Sequence, residues 1–204
     1  MNPSVDALRA TFGTAIGRAV EVRGDTIVHI AAASLGDVMR WLRDTPEQYD
    51  YLVDITAVEY RDRERPLEVV YFLRSLGRRT DLRIKVELDP QGELGLDSVV
   101  AVWQGANWLE REVFDMFGVT FRGHPDLRRI LMWETYAEGY PLRKDFPLRG
   151  RFSRAEQVRQ ALAADPEAHY SLTELAIADA YAELPADMKE RLRAGRRGAV
   201  DDPA

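Results

Sequence analysis

Glu110, Glu112 and Asp115 place three carboxylates within six residues, a spacing that invites general acid–base chemistry. On a helix, however, Glu110 and Glu112 are two apart and point in different directions, so they make a poor catalytic pair. Charges that lock local geometry or a partner fit the pattern better. His124 invites a metal or proton-transfer role, but it has no second histidine or cysteine near it in sequence, and the chain has only three histidines. The favoured reading is a turn histidine that hydrogen-bonds the backbone or a partner. Arg128, Arg129, Arg143 and Lys144 could form a patch for RNA or phospholipid. Seven acidic residues share the 107–149 window with seven basic ones, so the field largely cancels. Arg128 and Arg143 paired with carboxylates, within the domain or across an interface, is the preferred reading. The basic run Lys189–Arg197 reads as a solvated helix end.

Those residues sit in the stretch from Asn107 to Pro147, which also holds eight of the nineteen aromatic residues. Surfaces rich in aromatics and arginine are the ones proteins use to grip other proteins. The net charge of −6 argues against a global electrostatic grip on nucleic acid or anionic lipid. The chain has no cysteine, which excludes disulfides and thiolate ligation of zinc or iron–sulfur clusters by this polypeptide. No apolar run is long enough to span a membrane, and the N-terminus does not read as a signal peptide. A protein on the cytoplasmic side, reaching a membrane only through partners, is expected.

The elements that must position these residues follow from periodicity and turn chemistry. Val5, Leu8, Phe12 and Ile16 have helical spacing and predict a first helix to about Ile16. Val20–Ile30 predicts a hairpin around Gly24-Asp25. Ser34 is expected to cap a helix carrying Val38, Trp41 and Leu42, ended by Pro46. Tyr51–Tyr60, Leu67–Arg74 and Asp81–Leu88 read as strands, the last with Leu82, Ile84, Val86 and Leu88 on one face. This order predicts an α+β domain over residues 1–150, with helices packed on one face of a mostly antiparallel sheet. Residues 151–204 read as a C-terminal helical or extended appendage: helices at Ser153–Ala164, Ser171–Leu184 (with a Ser171/Glu174 capping box) and Ala186–Ala194, then a disordered tail.

Within the central stretch, Asn107 and Glu110 have capping-box spacing and predict a helix from Trp108. Leu109, Val113 and Phe117 form its apolar face, Arg111 can pair with Asp115 one turn on, and Gly118 stops it in a left-handed conformation. Trp108, Phe114, Phe121 and Trp133 divide between core and interface, with Phe114 off the apolar face and the better interface candidate. Val119-Thr120-Phe121 favours extended chain. Gly123-His124-Pro125 and Gly139-Tyr140-Pro141 read as tight turns.

Glu110-Arg111-Glu112, Asp115-Met116-Phe117, His124, Arg128 and Ile130-Leu131, in that order and spacing, resemble the signature of the 30 kDa (C-type) subunit family of respiratory complex I, the proton-pumping NADH–quinone oxidoreductase. Gly139-Tyr140-Pro141-Leu142-Arg143-Lys144-Asp145-Phe146-Pro147 resembles that family's second block. The resemblance covers residues 5 to about 150 and includes Trp103; the C-terminal quarter departs from it. It implies a scaffold part of the hydrophilic arm, on the cytoplasmic face of the membrane. Its chief partner there would be the D-type subunit, which helps form the quinone chamber, together with that partner's neighbours in the arm. The resemblance implies no active site, metal or cofactor in this chain, with FMN and iron–sulfur clusters in partner subunits. The interface would use Glu110, Arg111, Glu112, Phe114, Asp115, Gly123, His124, Pro125, Arg128, Arg143, Lys144, Asp145, Phe146 and Pro147. Two alternatives stand beside it: the equivalent subunit of a membrane-bound nickel–iron hydrogenase or related dehydrogenase, and a stand-alone enzyme using Glu110, Asp115 and His124.

Overall fold

A computed structural model describes residues 2–89 and 92–164. Helix α1 (Ser4–Phe12) leads through a short 3-10 turn into strand β1 (Ile16–Val22) and strand β2 (Asp25–Ile30). Helix α2 (Leu35–Asp44) precedes strands β3 (Tyr51–Glu59), β4 (Leu67–Ser75) and β5 (Thr80–Glu87). A short strand β6 (Gly95–Asp97), helix α3 (Ala106–Phe117) and strand β7 (Thr120–Arg122) complete a compact unit that ends at Phe152. Helix α4 (Arg154–Ala164) belongs to the next unit, where Ser153 Oγ accepts a hydrogen bond from the Glu156 N–H at 3.3 Å. The expected Ser171–Leu184 and Ala186–Ala194 helices, their capping box, the Lys189–Arg197 run and the tail lie outside the described residues.

Five strands form a sheet in the order β1-β2-β5-β4-β3. Three of its four pairings are antiparallel, and β2 runs parallel to β5. The α+β reading with a mostly antiparallel sheet therefore holds. Alternation divides the sheet into two faces. Leu82, Ile84 and Val86 of β5 join Leu67, Val69, Tyr71 and Leu73 of β4, and Val28 and Ile30 of β2, in one buried cluster. Leu35, Val38, Met39 and Leu42 of α2 and Val113, Met116 and Phe117 of α3 complete that cluster from the helical side. Each such side chain contributes about 1.5–3 kcal/mol by leaving water. The other face, among the described residues, is partly exposed and charged along β5, where Arg83, Lys85 and Glu87 alternate with the core residues.

Several local expectations are corrected. The first helix stops at Phe12, and Ile16 opens β1. Gly13, at φ +53, breaks the helical run that the apolar spacing would have continued. The hairpin turn centres on Arg23 and Gly24, both at positive φ, as a turn matched to the twist of the strands requires. Ser34 makes no side-chain cap, because a 3-10 turn at Ala32–Ser34 feeds directly into α2. A second parallel pair, β6 with β7, brackets α3.

Gly118 ends α3 at φ 77°, ψ 23°, the left-handed stop its position predicts. It also lies under the Tyr140 ring, where an added Cβ would fall 2.4 Å from a ring carbon. Gly118→Ala is expected to lower stability by about 1–3 kcal/mol, through positive φ and the clash together. In urea unfolding the additional substitution Tyr140→Ala should relieve the clash but leave the backbone strain. Additive losses would show that the two groups are not in contact.

Candidate protein–protein interface

Helix α3 is the rod on which the site is built, and Glu110, Arg111 and Asp115 each have a separate task. Asp115 is fully buried. Its Oδ2 accepts hydrogen bonds from three successive backbone N–H groups, Ile130 at 3.1 Å and Leu131 and Met132 at 2.8 Å. This is the concave backbone arrangement that holds anions elsewhere, here filled by a side chain. Its Oδ1 accepts from the Arg129 Nη1 at 2.5 Å. The same guanidinium donates to the Asp115 and Gly139 carbonyls, both at 3.1 Å, and lies near the rings of Tyr136 and Tyr140. One carboxylate and one guanidinium thus tie residues 129–132 and 139 to the helix.

Arg111, also buried, donates from Nε and Nη2 to the Arg128 and Arg129 carbonyls at 3.1 and 3.0 Å, and lies 5.3 Å over the Trp108 ring. The expected Arg111–Asp115 pair does not form. Both side chains turn outward to the 128–132 segment, which has backbone groups to satisfy. Arg128 instead pairs with Asp126 at 2.8 Å on the surface, and Arg128 holds the Asp126 carboxyl below its usual range. Arg129, read from sequence only as part of a basic patch, is the residue that Asp115 selects. Its partner lies fourteen residues back in a helix, with no local spacing to mark it.

Glu110 does not cap α3. The helix begins at Ala106, with Asn107 inside it, and no side chain caps its start. Fully buried, Glu110 accepts from the Val99 N–H at 2.7 Å and the Ser98 hydroxyl at 2.6 Å, pinning the loop after β6 to the helix. Glu112 faces solvent on the same helix. Phe114 is half-buried, whereas Trp108 is 62% exposed and is the larger apolar surface. Phe121 is core, and Trp133 packs edge-on to Tyr136 with ring centres 4.8 Å apart.

Gly123, at φ +80, opens the turn that carries His124 and Pro125. His124 Nδ1 accepts from the Asp126 N–H at 3.0 Å, which leaves Nε2 protonated to donate to the Asn107 carbonyl at 3.1 Å. This is the backbone-bonded turn histidine the sequence predicts. The second block, from Gly139 to Pro147, is fastened to the end of β3. Arg143 Nε lies 3.5 Å from Glu59 Oε1 and 3.9 Å from Asp145, and the Lys144 N–H donates to Glu59 Oε2 at 2.5 Å. The Leu142 N–H reaches the Met116 carbonyl at 3.1 Å, while Phe146 is half-buried and Pro147 is exposed. Glu59 and Glu138 were not legible as anchors. Glu138 accepts from the Phe152 N–H at 3.2 Å and from the Arg151 N–H.

The two blocks thus form a strap laid on α3 and the end of β3. Residues 28–152, which include both blocks, match the family described as respiratory-chain NADH dehydrogenase, 30 Kd subunit. The chain belongs to that family. Among its relatives, the NADH-quinone oxidoreductase C subunit of Geobacter sulfurreducens is 43% identical over 150 residues, covering 73% of this chain and 91% of the relative. That of Roseiflexus castenholzii is 46% identical over 149 residues, covering 72% and 84%. The solved trypsin-resistant fragment of Nqo5 superposes with a TM-score of 0.54 at 28% identity, over 61% of this chain and 96% of the fragment. A chain of the membrane-bound sulfane sulfur reductase, an archaeal respiratory membrane complex, shares the fold with a TM-score of 0.59 at 23% identity, over 71% and 84%.

Within this 30 kDa family member, Glu110 has a measurable signature. Burial raises its carboxyl from 4.5 to about 7, against the opposing pull of the bonds from Ser98 and Val99. The folded chain keeps a proton there that the unfolded chain releases near pH 4.5. Stability from this group is therefore greatest below that pH and falls as pH rises to about 7, by up to about 3 kcal/mol. Glu110→Gln cannot ionise and can keep both contacts, its amide oxygen accepting from the Val99 N–H and its amide nitrogen donating to the Ser98 hydroxyl oxygen, so its urea midpoint should lack this fall. An identical pH profile in the variant would show that Glu110 ionises normally.

Proposed function

We propose that this chain is the C-type subunit of an NADH–quinone oxidoreductase, a scaffold of the hydrophilic arm that docks against the D-type, quinone-chamber subunit through the strap on α3. In this reading it carries no active site and no redox cofactor of its own. FMN and iron–sulfur clusters belong to partner subunits, and the chain lies on the cytoplasmic face of the membrane, held there by those partners. Its mechanical task is to keep the quinone chamber in place, so that the distance from cluster to quinone is maintained while electrons pass from NADH.

The observation that carries this reading is the contrast between a tightly anchored strap and the apolar side chains around it. Asp115, Arg111 and Glu59 fix the backbone of the strap, yet Trp108 is 62% exposed and Leu131 60%. Leu142 and Leu148 are exposed as well. Rigid backbone bearing exposed aromatic and aliphatic groups with arginines beside them is what an interface needs, since little entropy is lost on docking. Glu112, Phe114, Lys144, Asp145 and Phe146 extend the same surface. Family membership supports an assembly of several subunits, and the absence of cysteine is consistent with electron carriers elsewhere. No described helix is long and apolar enough to cross a membrane, which fits attachment through partners.

The stand-alone enzyme reading draws no support from the site. The Asp115, Glu110 and His124 polar atoms are all engaged, largely with backbone, and none of them lines a described cavity. The hydrogenase reading is weaker than the complex I reading, because relatives sharing 39–48% identity are named as parts of NADH-quinone oxidoreductase.

The test separates docking from folding. Leu131→Ala removes exposed atoms and should change the unfolding free energy of the isolated chain by less than about 0.5 kcal/mol, and Trp108→Ala, which also loses the contact with Arg111, by no more than about 1 kcal/mol. In the native host the double variant should markedly reduce recovery of this chain with the quinone-chamber subunit when the complex is purified. Normal assembly and quinone reduction by the double variant would contradict this interface.

A further inference from the structure

The charged face of the five-stranded sheet carries a cluster that the docking surface does not use. It borders a groove of about 1030 Å³ lined by Arg18, Ile27, His29, Glu68, Lys85 and Glu87, among others. The register sets Glu68 of β4 directly opposite Glu87 of β5, and His29 of β2 opposite Lys85 of β5. Like charges facing each other across an antiparallel pair destabilise the pairing unless a cation lies between them. Glu68 is also fully buried, unusual for a carboxylate on an otherwise open face.

The two oxygens of Glu68 are used unequally. Oε1 accepts from the Tyr60 hydroxyl at 2.9 Å and from the Lys85 ammonium. Oε2 is buried and accepts no hydrogen bond; its cation is the half-exposed Arg63 guanidinium at 3.6 Å, which also stacks on the Tyr60 ring. His29 Nδ1 is 3.8 Å from Glu87 Oε1, too far for a hydrogen bond. One ligand atom each from His29, Glu68 and Glu87 lies within 4.8 Å of the others.

We propose that His29, Glu68 and Glu87 form a binding site for a divalent transition-metal ion of the zinc type. One imidazole nitrogen and two carboxylate oxygens are a donor set that zinc accepts, with a further position open to water from the groove. Burial lowers the His29 pKa, which favours the neutral ring whose lone pair can coordinate. Ligand bonds of about 2.0–2.2 Å require the three donors to draw closer, and the Glu87 side chain, 41% exposed, has the freedom to do so. The ion would also place positive charge between the two opposed glutamates. Lys85 and Arg63 already offset part of their charge, so the site is weaker than one built from thiolates or several histidines. It is independent of the docking interface.

The test is titration of the full chain with Co²⁺, read by its visible absorption, and with Zn²⁺, read by calorimetry. The expected result is one saturable ion per chain, abolished by His29→Ala and weakened by at least about tenfold in Glu87→Gln. Both substitutions are on the partly exposed face, and circular dichroism would verify that the variants fold. His124→Ala is the control and should bind normally. No saturable binding to the wild-type chain, or binding that survives His29→Ala, would overturn the proposal.

Discussion

The structure depends most on the buried contact between Asp115 and the backbone of residues 130–132, closed by Arg129. A carboxylate taken wholly out of water is tolerated only when its oxygens are satisfied and its charge is matched. Asp115 meets both conditions with three N–H donors and one guanidinium. That requirement also works in reverse. Residues 130–132 lack a regular strand or helix to satisfy their N–H groups, and the helix supplies the acceptor instead. Arg129 then carries the connection on to the Gly139 carbonyl, where the second block begins.

The two signature blocks are thus one mechanical unit. Arg111 holds the carbonyls of residues 128 and 129, Asp115 holds the amides that follow, and Glu59 receives the strap at the end of β3. Charges whose spacing suggests acid–base chemistry fasten backbone here. This division of labour explains how a segment with little regular secondary structure can present fixed side chains. It is also what the 30 kDa family would require of a member whose contribution is, as we propose, shape and grip.

Legibility from sequence followed the range of each interaction. The left-handed stop at Gly118, the backbone-bonded turn at His124 and the alternation in β5 are local, and residue type alone announces them. The Asn107/Glu110 capping box and the Arg111–Asp115 pair were local patterns too, but tertiary contacts overrode them. Burial of Glu110 under Ser98 and Val99, and the unsatisfied backbone at 128–132, offered those side chains better partners. The parallel pairing of β2 with β5 and the choice of Arg129 by Asp115 join distant parts of the chain, and no periodicity records them. Ile16 shows the same ambiguity at small scale, since its spacing suits a helix while the chain uses it to start a strand.

Hydrogen exchange at the amides of Ile130, Leu131 and Met132, compared between the wild-type chain and Asp115→Ala, tests the central contact most directly. If the carboxylate organises the strap, those amides are protected in the wild type, and the variant loses that protection there and at residues held through Arg129, while the sheet amides stay protected. Unchanged protection of the three amides in the variant would contradict the account.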